Sequence, residues 1–246
     1  MNFSANFDRF QEVVRHRRSC RIYEQQALPA GLVQQALELA MLSPNSSNMQ
    51  LWEFHHISTP AVIRSLGPAC LDQKAVSTAS ELVVFVARRD LFRERADRLV
   101  ANQLKVMGKE KRSDLSTPER KLIDYWDRLM PLLYRHCCGF WTLVRKLAVW
   151  WTAWRKPQYR EVSETDMRVV AHKSVSLAAQ TFMLAIAAAG YDSCPLEGFD
   201  SSRVKKILGL GKRSEITMIV SCGKRSAAGI YGERFRLPPA DVYFQH

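Results

Sequence analysis

The chain has 246 residues, is 47% hydrophobic and carries a formal net charge of +12. This length and composition allow one large domain or two small ones around a sizeable core, and the charge favours anionic partners: phosphorylated ligands, acidic lipid or nucleic acid. Two classes are disfavoured: residues 1–11 lack the apolar run of a secretory signal, and no uninterrupted apolar stretch reaches the roughly 18–20 residues of a spanning helix.

In chain order, residues 7–16 read as a short helix with Phe7, Phe10, Val13 and Val14 on one side. Arg17 to Tyr23 break that pattern. Pro29 then stands near the start of a second helix, whose apolar positions Leu32, Val33, Ala36, Leu37 and Ala40 follow the helical period. A loop rich in Ser and Asn ends it. Glu53 to Ile57 and Leu82 to Ala87 read as strands, with a short helix near Ala61 to Leu66 between them; the second strand is apolar enough for burial between two layers. Residues 168–189 form the longest predicted helix. It is apolar nearly all round, as a central core helix would be, and Gly190 ends it. Ser193 to Asp200 read as a loop, Arg203 to Leu208 as a short helix and Glu215 to Cys222 as a third strand. The tail from Gly223 is polar and basic.

Residues 88–160 differ from the rest. They hold 18 Lys and Arg against 8 Asp and Glu, and five of the six tryptophans: Trp126, Trp141, Trp150, Trp151 and Trp154. The expectation is a single domain over 1–246, interrupted at about 88–165 by a basic helical insertion. The six cysteines (Cys20, Cys70, Cys137, Cys138, Cys194, Cys222) form no CxxC pair and have no histidines at metal spacing. Reduced thiols in a cytosolic protein without a bound metal are expected.

Four segments have the composition of a ligand site. Arg17, Arg18, Ser19 and Arg21 place three forked guanidiniums and a hydroxyl within five residues, which suits phosphate oxygens; a solvated basic turn has the same composition. Ser43 to Trp52 bring amide side chains, Asn48 and Gln50 among them, that match the in-plane donors and acceptors of a heterocycle, or that satisfy their own loop. In Cys194-Pro195-Leu196-Glu197-Gly198-Phe199, a stiffening proline and a glycine let backbone amides approach a flat ligand, or simply connect two helices. Arg234 and Arg236, two apart in an extended segment, point the same way and suit a phosphate, or belong to a loose tail.

In order and spacing these segments resemble the FMN-dependent nitroreductases. The family's opening motif, Arg-Arg-Ser-x-Arg-x-aromatic, stands here as Arg17 to Tyr23. Its second, Ser/Ala-Pro-Ser-x-x-Asn-x-Gln-Pro-Trp-x-Phe, stands as Ser43 to Phe54. Ala178 to Ala185, followed by Gly190-Tyr191, is similar to the family's long central helix. Cys194 to Phe199 is similar to the loop beside the flavin ring, and Arg234 and Arg236 to the C-terminal phosphate clamp. The resemblance covers roughly residues 7–90 and 168–240.

It implies an α+β fold with a nitroreductase-like mixed or antiparallel sheet flanked by helices. It also implies a homodimer with FMN at the subunit interface, and hydride transfer from NAD(P)H through flavin N5 to a small electron-poor acceptor, nitroaromatic or quinone, by a ping-pong mechanism. Arg17, Ser19 and Arg236 then hold the FMN phosphate, with Arg18 and Arg234 close by. Arg21 faces the pyrimidine edge, where a fixed cation stabilises the negative charge of reduction. Asn48 and Gln50 meet the polar edge of the ring, and the backbone of Pro195, Leu196, Glu197 and Gly198 approaches N5 and O4. No side-chain nucleophile or metal is required.

Three features depart from the family pattern. Leu51 replaces a proline, Ser174 stands where an aspartate is expected on the central helix, and the insertion is long. From Phe140 to Lys156, Leu143, Val144, Leu147, Trp151 and Trp154 share one helical face, opposite Arg145, Thr152 and Lys156. Such a helix suits a lid, a dimer contact or an anionic membrane at the inner face, and less well a nucleic acid. The competing readings are a flavin enzyme of the same fold acting oxidatively or by dehalogenation on a larger substrate, and a basic membrane- or nucleic-acid-binding module with a decayed flavin site.

Overall fold

The apolar run ahead of Arg88 is strand β2 (Glu81–Ala87), and its two faces divide the molecule into layers. The computed structural model describes residues 3–137 and 139–246, so Cys138 lies outside the described residues. β2 lies between β1 (Trp52–Ile57) and β4 (Glu215–Gly223), with β3 (Asp192–Leu196) on the far side of β4. All three pairings are antiparallel, in the order β1-β2-β4-β3. Successive side chains of a strand point to opposite faces. Val83, Phe85 and Ala87 therefore meet one helical layer, and Leu82, Val84 and Val86 the other.

The first layer holds α2 (Leu32–Met41) and the 25-residue α9 (Glu164–Ala188). Ala178 and Ala179 of α9 pack with Ala36, Ala40, Phe85 and Phe182 in one cluster. By length and composition α9 is apolar enough to cross a bilayer, but here it is the core helix of the sheet. The second layer holds α3 (Pro60–Leu66), α4 (Lys74–Ser77) and α10 (Ser201–Leu208), represented by Ile63, Leu66, Ala75, Val76 and Val204. α1 (Phe3–His16) lies against α9, and a short α11 (Pro239–Val242) ends the chain.

Between β2 and α9 the chain forms α5 (Phe92–Val106), α6 (Thr117–Asp124), a π-helical turn at Tyr125–Leu129, α7 (Met130–Tyr134) and α8 (Phe140–Ala153). Their apolar contacts form two satellite clusters. One joins Met49 and Leu51 to Ala96, Met130, Tyr134 and Met167; the other holds Val100, Leu115 and Ile123.

Several boundaries differ from the sequence expectation, and two bear on the site. Residues 193–196, read as part of a loop, belong to the edge strand β3. Pro195 has no N–H to give the ladder, and an edge position tolerates that. α9 starts at Glu164 rather than 168, because Ser163 and Asp166 form a capping box: the Asp166 N–H donates to Ser163 Oγ at 3.0 Å and the Ser163 N–H to Asp166 Oδ2 at 2.9 Å. The five described cysteines are free, and burial pushes the Cys20 and Cys70 thiols up to about 11.

Candidate cofactor site

Where α1 ends, Arg17 to Arg21 run along the open side of β3. Ser19 makes a parallel bridge to Ser193, and the Cys20 N–H donates to Ser193 O at 3.1 Å. Cys20 is fully buried while Arg21, beside it, is exposed, as alternation along an extended segment requires. The tail after β4 folds back over this segment. The Arg21 N–H donates to Gly229 O at 2.7 Å, and a Cβ on Gly229 would sit 2.6 Å from Ile22 O and 2.8 Å from Cys20 Sγ, so only glycine fits. Arg18 then donates to Gly232 O at 2.9 Å, Arg234 to Arg15 O at 2.9 Å and Arg17 O at 2.6 Å, and the Arg21 guanidinium lies 5.3 Å from the Tyr231 ring centre.

The result is a knot of like charge. Burial, and then Arg18, Arg17 and Arg236, push the Arg234 guanidinium below its ordinary value. Asp192, close by, is already bound to Arg225. Among the described residues, Arg17, Arg18, Arg21, Arg234 and Arg236 have no carboxylate partner. Their contacts to backbone carbonyls use one nitrogen each on Arg18 and Arg234 and leave the remaining donors free. A phosphate monoester, with charge and several acceptor oxygens, fits this cluster.

The Ser43–Gln50 loop sits elsewhere. Ser43 Oγ donates to Thr181 Oγ1 of α9 at 2.7 Å, and the Ser46 N–H donates to Ser174 Oγ at 3.2 Å. Ser174 thus supplies the acceptor expected from an aspartate. Ser47, Asn48 and Gln50 all have positive φ (55°, 54° and 48°), a conformation that costs energy away from glycine and collects at functional loops. The insertion braces it: Trp126 Nε1 donates to Ser47 O at 2.9 Å, and Ser47 Oγ shares a 2.6 Å hydrogen bond with Tyr125 OH. Leu51, in place of proline, is buried with Met49 against α5 and α7. Asn48 and Gln50 stay exposed, linked to each other by a 3.3 Å contact.

A third component lies where β3 stops. Its pairing ends at Leu196–Ile219, so the first residues of β4 have no neighbour on that side. An open groove of about 780 Å³ forms there, lined by Glu197, Ile216 and Thr217 and by Arg168, His172 and Leu177 of α9. Leu196 is buried in the core and Pro195 is half-buried in the ladder, and neither lines the groove. Gly198 O is occupied by Gln73 Nε2 at 2.7 Å. The groove wall is stiffened at Glu215. Burial raises its carboxyl, but bonds from His172, Arg89 and Arg168 outweigh that and hold it at about 2.

The structure therefore brings Arg17, Arg18, Ser19, Arg21 and Arg234 together along β3, with Arg236 near Arg234. It does not join Asn48 and Gln50 to them within one chain. The loop feeds β1 at one edge of the sheet, while Arg17–Arg21 lie outside β3 at the other. Four strand spacings, about 19 Å, separate β1 from the Arg17–Arg21 segment. Two contributors escaped the sequence reading: Tyr231, signalled only by its position between Gly229 and Gly232, and the Tyr125-Trp126 pair, whose aromatic composition carried no hint of its target.

The nitroreductase family model matches residues 14–224. MhqN of Bacillus subtilis, named as an NAD(P)H nitroreductase, is 22% identical over 201 residues, covering 82% of this chain and 81% of its own length. A protein of Thermus thermophilus named NADH dehydrogenase is 23% identical over 221 residues, covering 90% and 89%. Among solved structures, a nitroreductase-type protein of Exiguobacterium sibiricum in complex with FMN superposes with a TM-score of 0.67 at 24% identity, covering 96% of this chain and 97% of that one. The chain therefore belongs to the nitroreductase family, FMN-dependent oxidoreductases that draw electrons from NAD(P)H.

Proposed function

We propose that the protein acts as a homodimer that passes hydride from NAD(P)H to a small electron-poor acceptor, of nitroaromatic or quinone type, in a ping-pong cycle. The observation that carries this reading is the arginine cluster beside β3, which has no carboxylate partner among the described residues and suits a phosphate. Bound there, FMN supplies two-electron hydride chemistry at ring N5. Arg17, Ser19, Arg234 and Arg236 grip its phosphate, with Arg18 adding charge. Arg21, steadied against Tyr231, places a fixed cation where reduction adds negative charge. The backbone at Glu197 lines the groove for the ring.

Dimerisation is supported by the separation of the two half-sites and by what the single chain leaves bare. Phe7 and Phe10 of α1, Leu39 and Met41 of α2 with Leu42 just after it, and Val169 and Leu177 of α9 are all exposed, as are the tail residues Phe235 and Tyr243. In a two-fold dimer the Asn48 loop of one copy meets the arginine cluster of the other. Initial-rate kinetics with NADH or NADPH against a quinone test the cycle. Parallel double-reciprocal lines are expected, whereas intersecting lines would contradict ping-pong transfer.

A further inference from the structure

Helix α8 is amphipathic the wrong way round for a helix of a soluble core. Phe140, Leu143, Val144, Leu147, Trp150, Trp151 and Trp154 recur at three- and four-residue spacing, and every one of them is exposed, Trp154 to 83%. The one side chain of α8 that is buried is Arg145. Its Nη1 donates to Leu132 O, Leu133 O and Arg135 O at 2.9, 2.6 and 2.9 Å, closing the carbonyl end of α7. The start of α8 is fixed in a similar way: Glu164 Oε2 accepts from the Gly139 N–H at 3.3 Å, and Thr142 Oγ1 accepts from the Glu164 N–H at 2.9 Å. Polar contacts hold the inner face, and the apolar stripe looks outward. None of α8's side chains belongs to a buried apolar cluster.

The charge around the stripe identifies what it fits. Residues 128–160 contain no Asp or Glu, while Lys146 within α8, Arg155 and Lys156 just after it, and Arg128, Arg135 and Arg160 on the flanking segments are cationic; Glu164 is engaged at the start of the helix. A second copy of this chain would bring the same cations against these; an anionic bilayer would neutralise them and take up the tryptophans at headgroup level. We propose that α8 is a membrane-docking helix. It lies in the plane of an anionic lipid surface, with the Phe140–Trp154 stripe sunk into the acyl boundary and the flanking cations on lipid phosphates. This does not depend on the flavin reading, and flavin content reports on that reading separately.

The test is sedimentation of the purified 246-residue protein with vesicles of phosphatidylcholine, with and without phosphatidylglycerol, together with quenching of tryptophan emission by brominated lipid. Binding is expected to be at least about tenfold tighter to the anionic vesicles and to weaken as salt rises. Quenching is expected in the same samples. Replacing Trp150, Trp151 and Trp154 together by Ser should reduce vesicle binding about tenfold or more, with flavin content and oligomeric mass unchanged. The proposal is overturned by equal or absent binding to the two vesicle types, by lack of quenching, by a change of oligomeric mass in the triple variant, or by preference for an oligonucleotide over anionic vesicles. Quenching uses the unaltered chain, so it decides the question even if the variant does not fold.

Discussion

Arg21 is the side chain whose environment makes the sharpest statement about chemistry. Its guanidinium is placed by a 2.7 Å backbone bond to Gly229 and by the Tyr231 ring, not by an acidic partner, so its charge is available. A charge needed mainly when electrons arrive acts on the rate more than on ground-state binding. Arg21→Ala should slow reduction by NAD(P)H by about 10- to 100-fold while FMN affinity changes by less than about threefold, read by stopped-flow absorbance and by equilibrium titration. Equal losses in both would reduce Arg21 to a binding residue. The Arg17–Arg21 cluster was legible in sequence because three arginines and a serine stand within five contiguous residues. Tyr231 was not, because its partnership with Arg21 spans some two hundred residues and depends on the close approach at Gly229. Ser174 was legible only as a departure; its hydrogen bond to the Ser46 N–H is a tertiary fact.

At the scale of elements, the groove depends on where strands and helices stop. Glu215 opens β4 and ties it to Arg168 and His172 of α9 and to Arg89 after β2. Its carboxyl, normally near 4.5, is held at about 2 in the folded chain. A folded value below the unfolded one means the network stabilises the protein fully above about pH 4.5, and that this contribution is lost as pH falls towards 2. Thermal melts of Glu215→Gln should therefore lie below wild type near neutral pH, by about 2 kcal/mol, and converge with it between about pH 4.5 and 2. A constant gap across that range would show that lost packing, not charge, is responsible. β2 could be read from its apolar run because burial on both faces leaves a continuous signature. β3 could not, since Pro195 reads as a breaker until the sheet places it at an edge. The early start of α9 was written in Ser163-Glu164-Thr165-Asp166, a capping signal that the apolar period alone overlooks.

At the scale of the whole molecule, the Asn48 loop and the arginine cluster lie at opposite edges of the sheet, and the proposed dimer joins them across the exposed residues of α1, α2 and α9. If the Asn48 loop of one copy completes the arginine site of the other, chains that are each defective can rescue one another. Co-expressing Arg17→Ala with Asn48→Ala should give mixed dimers that retain one intact site, with roughly half the wild-type turnover per dimer that neither variant reaches alone. No recovery in isolated mixed dimers would place both halves in the same chain's site. The insertion was legible as helical, basic and aromatic. Its bracing of the Ser47 backbone through Trp126 was not, because composition does not say which surface a helix packs against.

The central claim is that the arginines beside β3 hold the phosphate of FMN, and the most direct measurement is titration of flavin-free protein with FMN and with riboflavin, for wild type and for Arg17→Ala/Arg234→Ala. The wild type should purify yellow and bind FMN far more tightly than riboflavin. The variant should lose about 10- to 100-fold in FMN affinity while riboflavin affinity is unchanged, as removal of charge-assisted phosphate contacts requires. A colourless protein that fails to take up added FMN, or a variant that loses FMN and riboflavin alike, would contradict the account.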